Sequence, residues 1–310
     1  MTDILVIGSI NADLVVRAAR FPAPGETLQG SDLATIPGGK GANQAVAAAR
    51  LGASVAMVGR VGNDSFSSTL VDNLKQNRVD VLHIMRDDSA ATGTAMIIVD
   101  ENGQNSIVLS PGANAKVSPA DVESASFSDP STGSGRRSKL LLLQLEIPTE
   151  TVLHAARLAK QNGVRVLLNP APAKEIPDEL IALADFILPN ETELSLLTGQ
   201  PVSDVKSAET AARSLVTRGA KVVIVTLGAN GALIVDKTHT THIPSFKVNV
   251  VDTTAAGDAF IGGFAVALLN GKSLETAVQY ASACGALAVT KFGAQTSLPT
   301  KREVEEFLKK

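Results

Sequence analysis

The run Asp252-Thr253-Thr254-Ala255-Ala256-Gly257-Asp258-Ala259-Phe260 carries the strongest chemical signal in the chain. Small residues lead into a helix expected to open at Ala256. The first N–H groups of a helix lack intrahelical partners, and the helix dipole is positive there, so an anion is favoured. Ala255-Ala256-Gly257 leaves those amides uncovered by side chains, as the approach of a phosphate requires. A phosphoryl group in transfer carries spread negative charge, so preorganised amides help most in the transition state; one such donor is worth about 3 kcal/mol in other enzymes. Asp258 stands in the same turn, where it could accept the proton of an attacking hydroxyl. An acid at that place is also a favourable dipole partner with no catalytic duty.

A second signal is Pro37-Gly38-Gly39-Lys40-Gly41-Ala42-Asn43. Glycine lets the backbone approach a ligand closely, and Lys40 and Asn43 reach into the same space. Asn11-Ala12-Asp13 follows the first apolar run, where ligands of open α/β sheets bind beyond the carboxyl ends of strands. Asn11 and Asp13 are two positions apart, so in an extended segment they point the same way. An amide beside a carboxylate suits sugar hydroxyls, which donate and accept; an Asx turn ending the strand explains the pair equally well. Gln144-Leu145-Glu146 ends another apolar run in the same manner. Asn190 and Glu193 stand at capping-box spacing, which is sufficient reason for both residues. That role is compatible with a place beside a hydrated Mg²⁺.

Other chemistries are absent. No G-x-x-x-x-G-K-[ST] occurs, since Gly41 follows Gly39-Lys40, and no G-x-G-x-x-G follows the first apolar run. His83, His154, His239 and His242 have no zinc spacing, and the single cysteine, Cys284, reads as a small buried hydrophobe. With 28 basic against 31 acidic residues the net charge is −3, which does not suit coating nucleic acid. No apolar run approaches the roughly 20 residues that cross a bilayer. The N-terminus has no basic region followed by a cleavage site, so a cytoplasmic protein is expected.

These residues need a frame. Apolar runs at residues 4–10, 54–58, 140–145, 164–168, 186–188 and 222–227 suit strands buried on both faces. Helical patterns at 41–51, 65–76, 149–161, 191–197 and 208–218 alternate with them, which predicts an α/β, doubly wound and mostly parallel sheet with helices on both faces. A strand pair at 231–235 and 240–243 follows, then helices at 256–269, 274–290 and 301–309. Two stretches break the rhythm. Residues 13–18 with 27–36, and 94–99 with 106–109, alternate polar and apolar residues around turn signals such as Asn102-Gly103. They are expected to form a small discontinuous β-sheet, either a pair of surface hairpins or a lid that shields substrate from water. The predicted division is residues 1–10, 38–91 and 112–310 for the main domain, with 11–37 and 92–111 for the lid. Residues 126–139, rich in Ser, Gly and charge, are expected to be a surface loop, with Arg136 and Arg137 in a solvated turn.

Taken together, Gly39-Lys40-Gly41-Ala42-Asn43 and Asp252-Thr253-Thr254-Ala255-Ala256-Gly257-Asp258 resemble the two signatures of the ribokinase (phosphofructokinase-B-like) sugar kinase family. Gly8-Ser9-Ile10-Asn11-Ala12-Asp13, Gln144-Leu145-Glu146, Asn169-Pro170-Ala171-Pro172-Ala173, Pro189-Asn190-Glu191-Thr192-Glu193 and Gly293-Ala294-Gln295 fall in the family's order. The resemblance covers nearly the whole chain. It implies ATP-dependent phosphorylation of D-ribose at O5, with Asp258 as base and the amides of Ala255, Ala256 and Gly257 as anion hole. Asn11, Asp13, Gly39, Lys40, Asn43, Glu146 and Asp258 would hold the sugar. Asn190, Glu193, Thr226, Gly228, Gly231, Gly257 and Ser282 would border ATP, with Glu193 acting on Mg²⁺. Asp252, Thr254, Ala288, Lys291, Gly293 and Ser297 would surround a monovalent cation, usually K⁺, several through backbone carbonyls. The family also implies a homodimer paired through the lid. Two departures stand out: Ala255 and Ala259 occupy places where many relatives carry Gly and Ser or Thr. The alternatives are a kinase for a related sugar such as deoxyribose, and a non-catalytic sugar-binding regulator; the intact Gly257-Asp258 pair and Lys40 speak against the regulator.

Overall fold

The computed structural model describes residues 2–125 and 138–309. The expected loop, with Arg136 and Arg137, lies almost wholly outside the described residues. Strands β1 (Ile4–Ile7), β2 (Asn11–Arg17), β3 (Ala34–Gly38), β4 (Val55–Gly62), β5 (Val79–Asp87), β6 (Gly93–Val99), β7 (Asn105–Ser110), β8 (Leu140–Leu143), β9 (Arg165–Leu168), β10 (Phe186–Ile187), β11 (Val222–Thr226), β12 (Ala232–Asp236) and β13 (Thr240–Ile243) fall into two sheets. The large one runs β13-β12-β11-β10-β9-β8-β1-β4-β5. It is parallel except where β12 pairs with β11 and β13. The small one runs β3-β2-β6-β7, with β2 parallel to β6 and the other two pairs antiparallel.

The central strands are apolar at every position because both faces are covered. Ile4 and Val6 of β1, with Leu140 and Leu142 of β8, pack towards α1 (Lys40–Arg50), α2 (Ser65–Gln76), α8 (Ala256–Leu269), α9 (Leu274–Ala288) and α10 (Lys301–Phe307). Leu5, Ile7, Leu141 and Leu143 point the other way, towards α3 (Pro119–Ser124), α4 (Thr149–Gln161), α5 (Asp178–Leu183), α6 (Glu191–Thr198) and α7 (Val205–Thr217). Alternate residues of one strand thus serve two cores, as a period of two demands.

Close packing of α8 decides where the chemistry sits. A Cβ on Gly262 would lie 2.5 Å from Ala47 Cβ of α1 and one on Gly263 would lie 2.7 Å from Cys284 Sγ of α9. The two glycines therefore let α8 wedge between α1 and α9. Asn43 is one turn before Ala47, and Asp258 one turn before Gly262, so this contact sets the two side chains against each other.

Several elements depart from the sequence pattern. Strand β5 was not expected: Val79, Val81 and Ile84 are spaced among Asp80, His83 and Arg86, because an edge strand has one open face. Strand β3 begins at Ala34, not at residue 27. The segment before it is held instead by Ser31, whose N–H donates to Arg17 O and whose Oγ accepts from Arg17 N–H. Helix α9 ends at Ala288, two residues early, where the chain turns back through a Lys291 N–H to Ala288 O bond.

Candidate active site

The polar residues gather at the carboxyl ends of the central strands, where their side chains meet the starts of α1 and α8. Asp258, buried in the first turn of α8, accepts from Asn43 Nδ2 at 2.9 Å and from Gln44 Nε2 at 3.0 Å. Gln44 is itself held: its Nε2 also donates to Asn169 Oδ1 at 3.0 Å, and its Oε1 accepts from Gln144 Nε2 at 2.6 Å. Asn169 Nδ2 completes the chain on Leu188 O at 3.0 Å. Among the described residues, both hydrogen-bond donors onto Asp258 are neutral side-chain amides, which fix the carboxylate in place. Each carboxylate oxygen keeps a lone pair for a further partner. Asn43 Oδ1 is buried and unpaired among the described residues, which leaves an acceptor waiting beside the carboxylate.

The opening of α8 departs from expectation at one amide. Ala255 is left-handed, with φ 59°, and this turns the Ala256 N–H onto Thr253 O at 3.3 Å. The N–H groups of Ala255 and Gly257 have no partner among the described residues. Ala255 and Gly257 face a cavity of about 200 Å³, together with Thr253, Asp258, Lys40, Asn190, Glu193 and Thr226. Of the three amides expected to form an anion hole, those of Ala255 and Gly257 are thus left unpaired at this face, and that of Ala256 is bonded to Thr253 O.

Charge in the cavity is mixed. Burial alone would depress the Lys40 ammonium, but Asp258, Glu146, Glu193 and Asp13 around it hold its pKa above the ordinary lysine value. Burial raises the pKa of Glu193, against a hydrogen bond from the Asn190 backbone and the charge of Lys40. Asn190 and Glu193 do form the reciprocal cap of α6: Glu193 N–H donates to Asn190 Oδ1 at 2.8 Å, and Asn190 N–H to Glu193 Oε2 at 2.9 Å. The cap and a place on the cavity wall coexist. Thr226 reaches the wall through a bridge to Asn190. Gly228 and Gly231 shape the turn after β11, and Ser282 lies on α9; none of the three lines this cavity.

The expected sugar residues converge around Lys40 and Asp258. Gly39 caps α1 with φ 89°, a conformation that favours glycine, and a Cβ there would stand 2.7 Å from Asn11 N. Glu146 Oε2 accepts from Ser9 Oγ at 2.5 Å and from Lys40 N–H at 3.1 Å. Asp13 is buried, and its pKa is pushed up to about 7, first by burial and then by Glu146 and Asp258, with Lys40 opposing. Asn11 and Glu146 also line a second cavity of about 350 Å³ that opens towards the end of β7.

Of the expected cation residues, Asp252 joins Thr254 and Gly293. Its Oδ1 accepts from Thr254 N–H at 2.9 Å and Thr254 Oγ1 at 2.6 Å, and its Oδ2 from Gly293 N–H at 2.9 Å. Ser297 is buried nearby in sequence, with its Oγ on Ala294 O at 2.8 Å. The Lys291 ammonium turns away to Glu303 at 2.5 Å, so only its backbone is left for such a site. The Asp252 carboxylate and Thr254 hydroxyl brought together here are hard oxygen donors, the type that suits a monovalent cation. Among the described residues, no cluster of three or more His, Cys, Asp or Glu could hold a metal, and no helix is long and apolar enough to cross a membrane.

Gln44, Gln144, Asn169 and Ser9 were not singled out for any role by sequence. Ser9, Gln144 and Asn169 do stand in stretches that follow the family's order, whereas Gln44 is signalled only as a polar residue inside an Ala-rich helix.

Comparison with known proteins agrees with this geometry. The model of the pfkB family of carbohydrate kinases matches residues 1–301. A ribokinase of Haemophilus influenzae is 47% identical over 303 residues, covering 98% of this chain and 97% of that one. A deoxyribokinase of Salmonella typhi is 41% identical over 307 residues, covering 99% and 98%. The structure of Arabidopsis thaliana ribokinase complexed with ribose and ATP superimposes with a TM-score of 0.90 at 34% identity, each chain covered in full. With residues 1–301 matched by the family model and relatives 41–47% identical over nearly the whole chain, the chain belongs to the pfkB family of carbohydrate kinases.

Proposed function

We propose that the chain transfers the γ-phosphoryl group of ATP to O5 of D-ribose, giving D-ribose 5-phosphate and ADP. The observation that carries this reading is the placement of Asp258. It is locked by Asn43 and Gln44 in the wall of a cavity that also takes in the bare amides of Ala255 and Gly257 at the start of α8. In the reaction, Asp258 takes the O5 proton as O5 bonds to the γ-phosphorus and the bond to the β–γ bridging oxygen breaks. Lys40 and the Ala255 and Gly257 amides receive the charge of the migrating group. Asn11, Asp13, Gly39, Asn43 and Glu146 hold the sugar so that O5 faces Asp258.

Asn190, Glu193 and Thr226 border the triphosphate, with Gly228, Gly231 and Ser282 further out along the nucleotide. Mg²⁺, held through water by Glu193, would neutralise phosphate charge when bound. Asp252, Thr254, Gly293 and Ser297, with the backbones of Ala288 and Lys291, would hold K⁺ and so brace the loop that carries the anion hole. Residues 11–37 and 92–111 act as the lid over the sugar. Met96 and its cross-strand neighbour Val108, with Ile107 and Leu109, are exposed on that lid, which supports a homodimer paired through it. A cytoplasmic site of action accords with the single, buried cysteine.

The 41% identical deoxyribokinase favours one second reading, in which 2-deoxyribose is the better acceptor. A panel of sugars assayed by coupled ADP release, with and without K⁺, decides between them. D-ribose is expected to give the highest kcat/KM, with K⁺ raising turnover. Preference for 2-deoxyribose would establish the second reading, and turnover of neither would refute both.

A further inference from the structure

We infer that Asn114 is a positioning residue for the acceptor sugar, because it sets which way the Asn11 amide faces. The inference rests on the proposed place of Asn11 at the sugar. Asn114 belongs to the 3-10 turn Gly112–Lys116 that follows β7, and it is 1% exposed. Ile10 N–H donates to Asn114 Oδ1 at 2.9 Å, and Asn114 Nδ2 donates to Ile10 O at 3.1 Å. A backbone N–H can only donate and a carbonyl can only accept, so this pair admits one orientation of the Asn114 amide. Its remaining N–H lies 2.7 Å from Asn11 Oδ1. The oxygen of Asn11 is therefore committed to Asn114.

Asn11 is 4% exposed and lines the 350 Å³ cavity beside Glu146. Its Nδ2 has no partner among the described residues. With the oxygen committed, Asn11 offers N–H donors to a ligand, whereas Asp13 and Glu146 offer acceptors. A sugar hydroxyl that meets Asn11 must present a lone pair, and the site reads hydroxyl orientation as well as position. Gly93, which opens β6, is part of the device: a Cβ there would collide with both Asn114 Nδ2 and Asn11 Oδ1. Three chain segments, at Asn11, Gly93 and Asn114, thus meet where the small sheet joins the large one.

The test is Asn114→Asp. It keeps an oxygen for Ile10 N–H but removes the donor, so Asn11 must turn its nitrogen towards residue 114 and its oxygen towards the sugar. Loss of one well-placed donor and exposure of an acceptor in its stead are expected to raise the sugar KM about tenfold. The ATP KM and K⁺ activation stay at the parent's values. Asn11→Ala is expected to raise the sugar KM alone, and Asn114→Asp added to it is expected to have no further effect. Additive effects, or an unchanged sugar KM in Asn114→Asp where Asn11→Ala raises it, would overturn the inference. An unchanged KM in Asn11→Ala would instead remove Asn11 from the sugar site and take the inference with it. Asn114→Ala, which frees the Asn11 amide to rotate, is read by the same criteria if the aspartate variant does not fold.

Discussion

Gly262→Ala separates the helices that aim Asp258 without touching any group in the site. The added Cβ would lie 2.5 Å from Ala47 Cβ and 3.0 Å from Ala48 N. Carbon atoms in contact lie about 3.5–4.0 Å apart, so α1 and α8 must part by roughly 1 Å. Both obstacles are fixed to the backbone, and no side-chain rotation relieves them. Asn43 and Asp258 sit one turn away on the same faces, so their 2.9 Å hydrogen bond, and the 3.0 Å bond from Gln44, stretch with the helices. A donor moved to about 4 Å no longer makes a hydrogen bond. Overpacking of this kind costs about 1–3 kcal/mol, which a chain with a core of this size survives. Misplacement of a catalytic group by about 1 Å costs about 100-fold in rate. Steady-state phosphorylation of ribose, with thermal unfolding as a check on folding, measures both quantities. The expected result is a folded protein with kcat lowered by about two orders of magnitude. A folded variant with kcat close to the parent's would refute the argument that Gly262 sets the geometry of Asp258.

Three further predictions concern protons and strain. The Asp13 carboxyl titrates at about 7 in the folded chain, above its ordinary value of 3.8, so it holds its proton in neutral solution's lower range. An ionised Asp13 accepts sugar hydroxyls better, so kcat/KM for ribose should rise with pH through 7, and Asp13→Asn should flatten that rise; a parallel rise in the variant would exclude Asp13 as its source. The linkage to stability has the opposite sign: the contribution of this group is fully present below pH 3.8 and is lost as pH climbs through 7. Asp13→Asn should accordingly unfold at a higher urea concentration than the parent at alkaline pH, and an equal or lower midpoint would contradict the buried charge. Ala255 adopts φ 59°, which costs an alanine about 1 kcal/mol. Ala255→Gly should raise urea stability by up to about that amount, less the extra freedom glycine has when unfolded; a clear loss of stability would show that the alanine methyl contributes packing.

The central strands were legible because burial on two faces removes every polar residue from them, as at Leu140–Leu143. The edge strand β5 was not, because its open face admits Asp80 and Arg86 and breaks the run. The same contrast governs the site. Lys40, Asn43, Asp252 and Asp258 sit in compact motifs where spacing itself implies a loop or a helix start. Gln44, Gln144, Asn169 and Asn114 are single polar residues, each with a side-chain partner 100 or more positions away. Their meaning appears only when α1, α8 and four strand ends are brought to one place. The turned amide of Ala256 depends on one positive φ at a residue that does not advertise it.

The role proposed for Asp258 is to take the proton of the attacking hydroxyl, while other groups bind ATP. Asp258→Asn tests it most directly, with turnover measured beside ATP binding by equilibrium titration. General-base catalysis is worth about 10²–10⁴-fold, so kcat should fall by that factor while ATP affinity is retained. A folded Asp258→Asn protein that phosphorylates ribose at close to the parent's rate would contradict the account.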